Sequence, residues 1–246
     1  IMKKDFHSVI VNLDQEEVAL LFQQYGLVSM PVIDEANRLL GVIIVDDIVD
    51  VINEEAEEDI LGLGGVTNGS IRSSILSTIK GRFSWLLINL FTAIIASLVI
   101  GLFQNEIEKI VALAVLMPIV ASMGGNAGIQ TVTVAVRALA TRQLNYANLS
   151  KFVFRETWVG MLNGIIFAIL SSIITFFWFG DMQISIVIGF AMILNLLIAG
   201  ILGTLIPLTL EKHKIDPATS SPIILTTATD VIGFFTFLSL AAWVIL

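Results

Sequence analysis

Three stretches of this sequence place chemically useful side chains where ordinary packing does not ask for them. The first is "TTATDVIGFF", residues 226–235, where Asp230 stands about eight residues into an apolar run that ends with sixteen uncharged residues. At 1.5 Å per helical residue that is roughly 12 Å of depth, and an ionised carboxylate there costs about 2.5–3.5 kcal/mol on insertion scales. No Lys, Arg or His lies at matching depth in any apolar run. The expected role is therefore an ion-pathway carboxylate. The second stretch is "PIVASMGGNAGIQTVT", where Pro118, Gly124, Gly125 and Gly128 surround Asn126 and Gln130. Proline and glycine weaken a helix, and the i,i+4 spacing lets both amides face one way. An interrupted span lining a cavity is expected, with a tightly packed, kinked helix as the alternative. The third is an acid run: Asp46, Asp47, Asp50, Glu54, Glu55, Glu57, Glu58 and Asp59, with no base between them. Acids at i, i+3 and i+4 repel one another. Divalent cations with oxygen ligands, Mg2+ or Ca2+, are the expected counter-charge. No EF-hand spacing is present.

The elements that must hold these groups follow from composition. The 246 residues are 56% hydrophobic and 14% charged, where soluble domains are about a quarter charged. A polytopic α-helical membrane protein is implied. Charge divides sharply: residues 1–71 carry 14 Asp/Glu against 3 Lys/Arg, and residues 72–246 carry 7 against 10. The absence of cysteine excludes disulfides and thiol chemistry. No basic patch is present to meet phosphates, so nucleic acid is not an expected partner.

Five apolar segments are long enough to span a bilayer: 83–103, 107–136, 152–179, 182–210 and 222–246. Arg72, Lys80, Arg82, Arg137, Arg142, Lys151, Arg155, Lys212 and Lys214 fall on one side, and Lys109 alone on the other. That asymmetry predicts a cytoplasmic N-terminus and an extracytoplasmic C-terminus. Asn89, Asn163 and Asn195 are expected to make interhelical hydrogen bonds, and Gly160 and Gly164 to mark a close helix contact. Pro118 precedes Asn126 by eight residues, as Pro222 precedes Asp230. The common spacing suggests two related helices presenting polar groups at similar depth.

Ahead of the spans, residues 1–52 read as a compact α/β module. "HSVIVNL" is a short strand. "DQEEVALLFQQYG" is a helix capped by Asp14 and closed by Gly26. "SMPVID" and "LLGVIIVDD" are strands about the turn "EANR". Residues 53–82 are an acidic connecting helix and linker, and 83–246 the five-span domain.

Here the sequence resembles known families. "PVIDEANRLLGVIIVDDIVDVI" looks like the second half of a CBS regulatory domain. "LMPIVASMGGNAGIQT" and "DPATSSPIILTTATD" look like the membrane domain of the MgtE family of Mg2+ channels and transporters. The resemblance implies a homodimer in a bacterial inner membrane, with five spans per subunit and spans two and five lining a Mg2+ pore. It implies that Asp230 from each subunit holds hydrated Mg2+. Gly125 and Asn126 fall at the narrow part of span two, with Gln130, Thr226, Thr227 and Gly233 also lining the pore, and Asp216 sits at the cytoplasmic mouth. Asp47, Asp50, Glu55, Glu58 and Asp59 match acidic sensor positions that bind cytosolic Mg2+ and hold the pore shut, and Glu16 joins a site between CBS modules. The family's N-terminal helical domain and a complete first CBS module have no counterpart here, so cation sites that need them are expected to be incomplete. Nucleotide-binding CBS modules carry Gly-h-h-Thr-x-x-Asp. Ile44 replaces the threonine, which argues against adenine-nucleotide binding at this half.

The expected function is passive, Mg2+-gated Mg2+ uptake. The alternative is an H+- or Na+-coupled exchanger using Asp230 as its coupling carboxylate. A CBS-bearing membrane scaffold without transport is a third reading. An intramembrane aspartyl protease needs two facing aspartates, and Asp230 is the single one well inside a span, so an enzyme is not expected.

Overall fold

A computed structural model describes residues 7–66, 72–144 and 148–245. Its contacts divide the chain into two units, separated between Ile60 and Leu61.

The first unit is built on a three-stranded sheet, β1 (Val9–Ile10), β2 (Ser29–Ile33) and β3 (Leu39–Ile44), in that spatial order. β1 pairs with β2 in parallel, which requires a crossover, and α1 (Gln15–Tyr25) supplies it. The helix begins where Asp14 accepts the Glu16 N–H at 3.0 Å and ends at Gly26, in the left-handed conformation with φ 59°. β2 and β3 are antiparallel. Their turn is held by Asp34, whose Oδ1 accepts from the N–H groups of Ala36 and Arg38 at 2.9 and 2.7 Å. Asn37 takes the left-handed position with φ 58°. Val9, Val18, Ala19, Phe22, Met30 and Ile48 form the core. Ile48 belongs to α2 (Val45–Leu63), so the first turn of the acidic helix packs into this core.

In the second unit, α3 (Ile75–Gly101), the short α4 (Gln104–Lys109), α5 (Val111–Ala140), α6 (Leu149–Phe179), α7 (Met182–Lys212) and α8 (Pro217–Val244) follow in order. All but α4 are long and apolar enough to cross a membrane, which gives the five expected spans among the described residues. α7 is the central element, packing on α5, α6 and α8, while α3 leans chiefly on α8. Leu113, Leu116 and Val120 of α5, Ile188, Met192 and Leu196 of α7, and Phe237 and Leu238 of α8 form its core.

The close approach of α6 to α7 has a plain cause. A Cβ added at Gly160 would lie 2.6 Å from the Leu196 carbonyl oxygen, and one at Gly200 would lie 2.7 Å from the Glu156 carbonyl oxygen. Only glycine lets the two backbones meet at that separation. Gly164 meets the Ile193 backbone in the same way.

Candidate ion pathway

The site is assembled from one face of α5 and one face of α8. Along α5, Ser122, Asn126, Gln130 and Thr133 are all exposed. Spaced by four, four and three residues, they form a polar stripe along α5, which the exposed Arg137 continues four residues beyond Thr133. Asn126 donates from Nδ2 to Ser122 Oγ at 3.3 Å, and Thr133 returns its hydroxyl to the Ile129 carbonyl at 2.8 Å. Gln130 makes no side-chain hydrogen bond among the described residues. Ser122 and Thr133 were not expected from the sequence. The signal was available, since both fall on the helical period that contains Asn126 and Gln130.

On α8, Thr226, Thr227 and Asp230 are half-buried. The two threonines donate back to the Pro222 and Ile223 carbonyls at 2.9 and 2.6 Å, which leaves their hydroxyl oxygens free to accept. Gly125 of α5 lies against this segment: a Cβ added there would come within 4.0 Å of the Thr226 methyl group. Asp230 lies one turn beyond Thr226, about 6 Å along the axis. Thr226 also lines a cleft of about 510 Å³ walled by Leu63–Val66, Arg82, Trp85, Asn89 and Thr219. Arg82 on that wall is the wrong charge for a cation site, and Asp230 is not among the residues that line the cleft.

Two expectations need correction, on the break in α5 and on the asparagines. α5 is one unbroken helix from Val111 to Ala140, through Pro118 and the glycines. Its glycines serve close approach rather than unwinding: Gly124 meets Asn195 of α7, and Gly128 meets Leu225 of α8. Gly233, expected among the pore-lining residues, is buried, and a Cβ there would lie 2.9 Å from Asn195 Nδ2. It is a packing glycine toward α7. Of the three asparagines, Asn195 makes its interhelical bond, to the Val120 carbonyl at 2.7 Å. Neither Asn89 nor Asn163 makes a side-chain hydrogen bond among the described residues.

Asp216, exposed, caps α8 by accepting from the N–H groups of Ala218 and Thr219 at 2.9 and 3.1 Å. Among the acids of α2, Asp47 accepts the Ile44 N–H at 3.2 Å, closing the helix start from its third position. Glu55 accepts from Gln15 Nε2 at 2.7 Å. Asp50 and Glu58 are exposed, and Asp59 and Glu16 half-buried. No three of the acids and histidines converge on a common point among the described residues. Glu156, overlooked in the sequence because it adjoins a basic cluster, is buried at the start of α6 and pairs with Arg155 at 2.7 Å.

The comparisons with known proteins fall on this same ground. The family model described as MgtE, divalent cation transporter, matches residues 117–240, the stretch from α5 to α8 that carries both polar faces. This chain belongs to the MgtE family. A CBS domain model matches residues 1–54. Three MgtE relatives, each named as the magnesium transporter MgtE, align along most of the chain. That of Bacillus subtilis is 33% identical, over 93% of this chain and 51% of its own length. That of Thermus thermophilus is 34% identical over 98% and 54%, and that of Enterococcus faecalis 32% over 96% and 52%. The chain thus spans about half the length of the curated MgtE relatives it matches.

Proposed function

We propose that this protein is a Mg2+ channel: it passes Mg2+ into the cell down the electrochemical gradient, through a path lined by α5 and α8. The observation that carries this reading is the exposed polar stripe of α5, on a helix that packs against α8, the helix of Asp230. While Ser122 and Thr133 each have a partner in α5, the Gln130 amide and the rest of the Asn126 amide, turned to hydrocarbon, would be left unsatisfied. A water-filled path on the axis of a homodimer meets them, and it brings two copies of Asp230 together. Two carboxylates on an axis suit a cation that keeps most of its water, as Mg2+ does. Asn126, Gln130, Thr226 and Thr227 offer oxygens to that water, and Asp216 stands at the mouth. For a divalent ion, the membrane potential supplies about 4.6 kcal/mol per 100 mV, twice the value for one charge.

The CBS-like module (1–52) and the acidic helix and linker that follow (53–82) serve regulation in this reading, with 83–246 as the pore domain. Mg2+ bridging Asp50, Glu55, Glu58 and Asp59 to acids elsewhere in the assembly neutralises like charges and holds the path closed. Asp47 and Glu16 contribute at its edge. The positive-inside asymmetry favours a cytoplasmic module, which would sample the transported ion there.

The test is Mg2+ flux into liposomes holding the purified protein, under an imposed potential. Voltage-driven flux that ignores proton and sodium gradients, lost about tenfold or more in Asp230→Asn, is the expected result. Flux that runs only with a counter-gradient of H+ or Na+ would establish the exchanger instead. For regulation, changing Asp50, Glu55, Glu58 and Asp59 together to Ala should leave currents open at Mg2+ levels that close the unmodified protein. Undiminished closure in a patch recording would remove these acids from the sensor.

A further inference from the structure

One side chain in the membrane unit touches two neighbouring helices and is not explained by packing. Asn195 of α7 is fully buried. Its Nδ2 donates to the Val120 carbonyl of α5, one turn before Gly124, while its Oδ1 is buried with no hydrogen-bond partner among the described residues. Gly124 and Gly233 close over it: a Cβ at Gly124 would overlap the amide, and one at Gly233 would lie 3.2 Å from its Cγ. A leucine has the same branching and number of side-chain heavy atoms, though bulkier, and would leave no acceptor unmet, so filling the space does not by itself call for an amide. What the amide adds is direction. Its N–H fixes α7 to α5 in height and rotation, and its body is seated in the notch that Gly233 leaves in α8.

The two helices it joins are the two that carry the polar faces. Gly124 directly precedes Gly125 and Asn126, and Gly233 lies three residues beyond Asp230. We infer that Asn195 is a positioning residue for ion passage: it sets the height of Asn126 on α5 against that of Asp230 on α8, without itself meeting the ion. The inference rests on the transport reading, because the distance it controls matters only if an ion is held there. A shift of one helix by a fraction of an ångström is enough to spoil such a constellation.

The experiment compares the purified protein with Asn195→Leu and with the pair Gly124→Ala/Asn195→Ala, in which the methyl group takes up space the amide vacates. Each is reconstituted at matched density, and Mg2+ and Ca2+ fluxes are measured under the same potential. Maximal Mg2+ flux should fall about tenfold or more in both variants, and the ratio of Mg2+ to Ca2+ flux should fall with it. A loss of folded protein alone would lower the two fluxes equally. Unchanged selectivity in a folded Asn195→Leu, or full recovery of flux in the double variant, would overturn the inference.

A second measurement does not depend on transport. The chain has no cysteine, so spin labels at Val134 of α5 and Ile224 of α8, both exposed, report the spacing of the two helices when labelled protein is diluted with unlabelled. The distance distribution should shift or broaden in Asn195→Leu, or in the double variant if the leucine does not fold. An unchanged distribution overturns the positioning role. Absence of Mg2+ flux in the unmodified protein would instead strike the transport reading, and the distances would still decide what Asn195 does.

Discussion

Helices α7 and α3 are both apolar enough to cross a membrane, yet 61% of the most apolar stretch of α7 is buried within the chain and only 6% of that of α3. Hydrophobicity alone does not separate them. What does is the distribution of small and polar residues. α7 carries Ser185, Gly189, Ala191, Asn195, Ala199, Gly200, Gly203 and Thr204, all buried, and lipid offers no hydrophobic drive between helices, so such close contacts and hydrogen bonds are what hold a bundle together. α3 instead turns Leu86, Leu90, Phe91, Ile94 and Leu98 outward, with Ala96 its one buried residue among those described. α7 is fixed by its neighbours in the chain, and α3 is free to meet lipid or a second copy.

The largest effect that separates the two helices is expected at Gly200. There the nearest obstacle to a side chain is backbone, the Glu156 carbonyl oxygen, so Gly200→Leu must push α6 from α7. We expect about 3 kcal/mol or more of destabilisation, seen as loss of monodisperse protein on extraction. A well-behaved variant would mean that the α6–α7 contact is looser than the structure has it. Next comes Gly128→Ala. Its nearest neighbour is the end of the Leu225 side chain, which can turn aside, so about 1–2 kcal/mol is expected as a lowered unfolding temperature. Asp216→Ala removes two cap hydrogen bonds from α8 and should cost about 1 kcal/mol by the same measurement. Smallest of all, Leu98→Ala on exposed α3 should change stability by under about 0.5 kcal/mol. If it instead equals Gly128→Ala, α3 is covered in solution, and a drop in dimer content on light scattering would show by what.

Much of this was legible in the sequence because it is local. Asp14 and Gly26 bound α1 by cap chemistry that needs only neighbouring residues. The five spans follow from length and apolarity, and Gly160 with Gly164 marks a close contact by spacing alone. What the sequence hid is what depends on the partner across the gap. Gly124 and Gly128 read as helix breakers, because glycine weakens an isolated helix. In α5 the packing of α7 and α8 overrides that propensity, and the same absence of Cβ becomes room for Asn195 and Leu225. Asn195 itself looked like Asn89 and Asn163, and nothing in its flanking residues shows that it alone reaches another helix. Asp230 was visible as an anomaly of charge, but the α5 stripe needed a helix phase to be drawn through Ser122 and Thr133.

The polar stripe of α5 has a consequence for how the protein is made. The ribosome delivers α5 before α6, α7 and α8, so Asn126 and Gln130 enter the bilayer before the helix bearing Asp230 has been synthesised. About a hundred residues separate the end of α5 from the end of α8, and at roughly 5–20 residues per second the wait is roughly 5–20 s. Through that interval the stripe has no companion from its own chain, and the insertion machinery or trapped water must shelter it. Biogenesis, more than the finished state, is where a further polar substitution on α5 would first be felt.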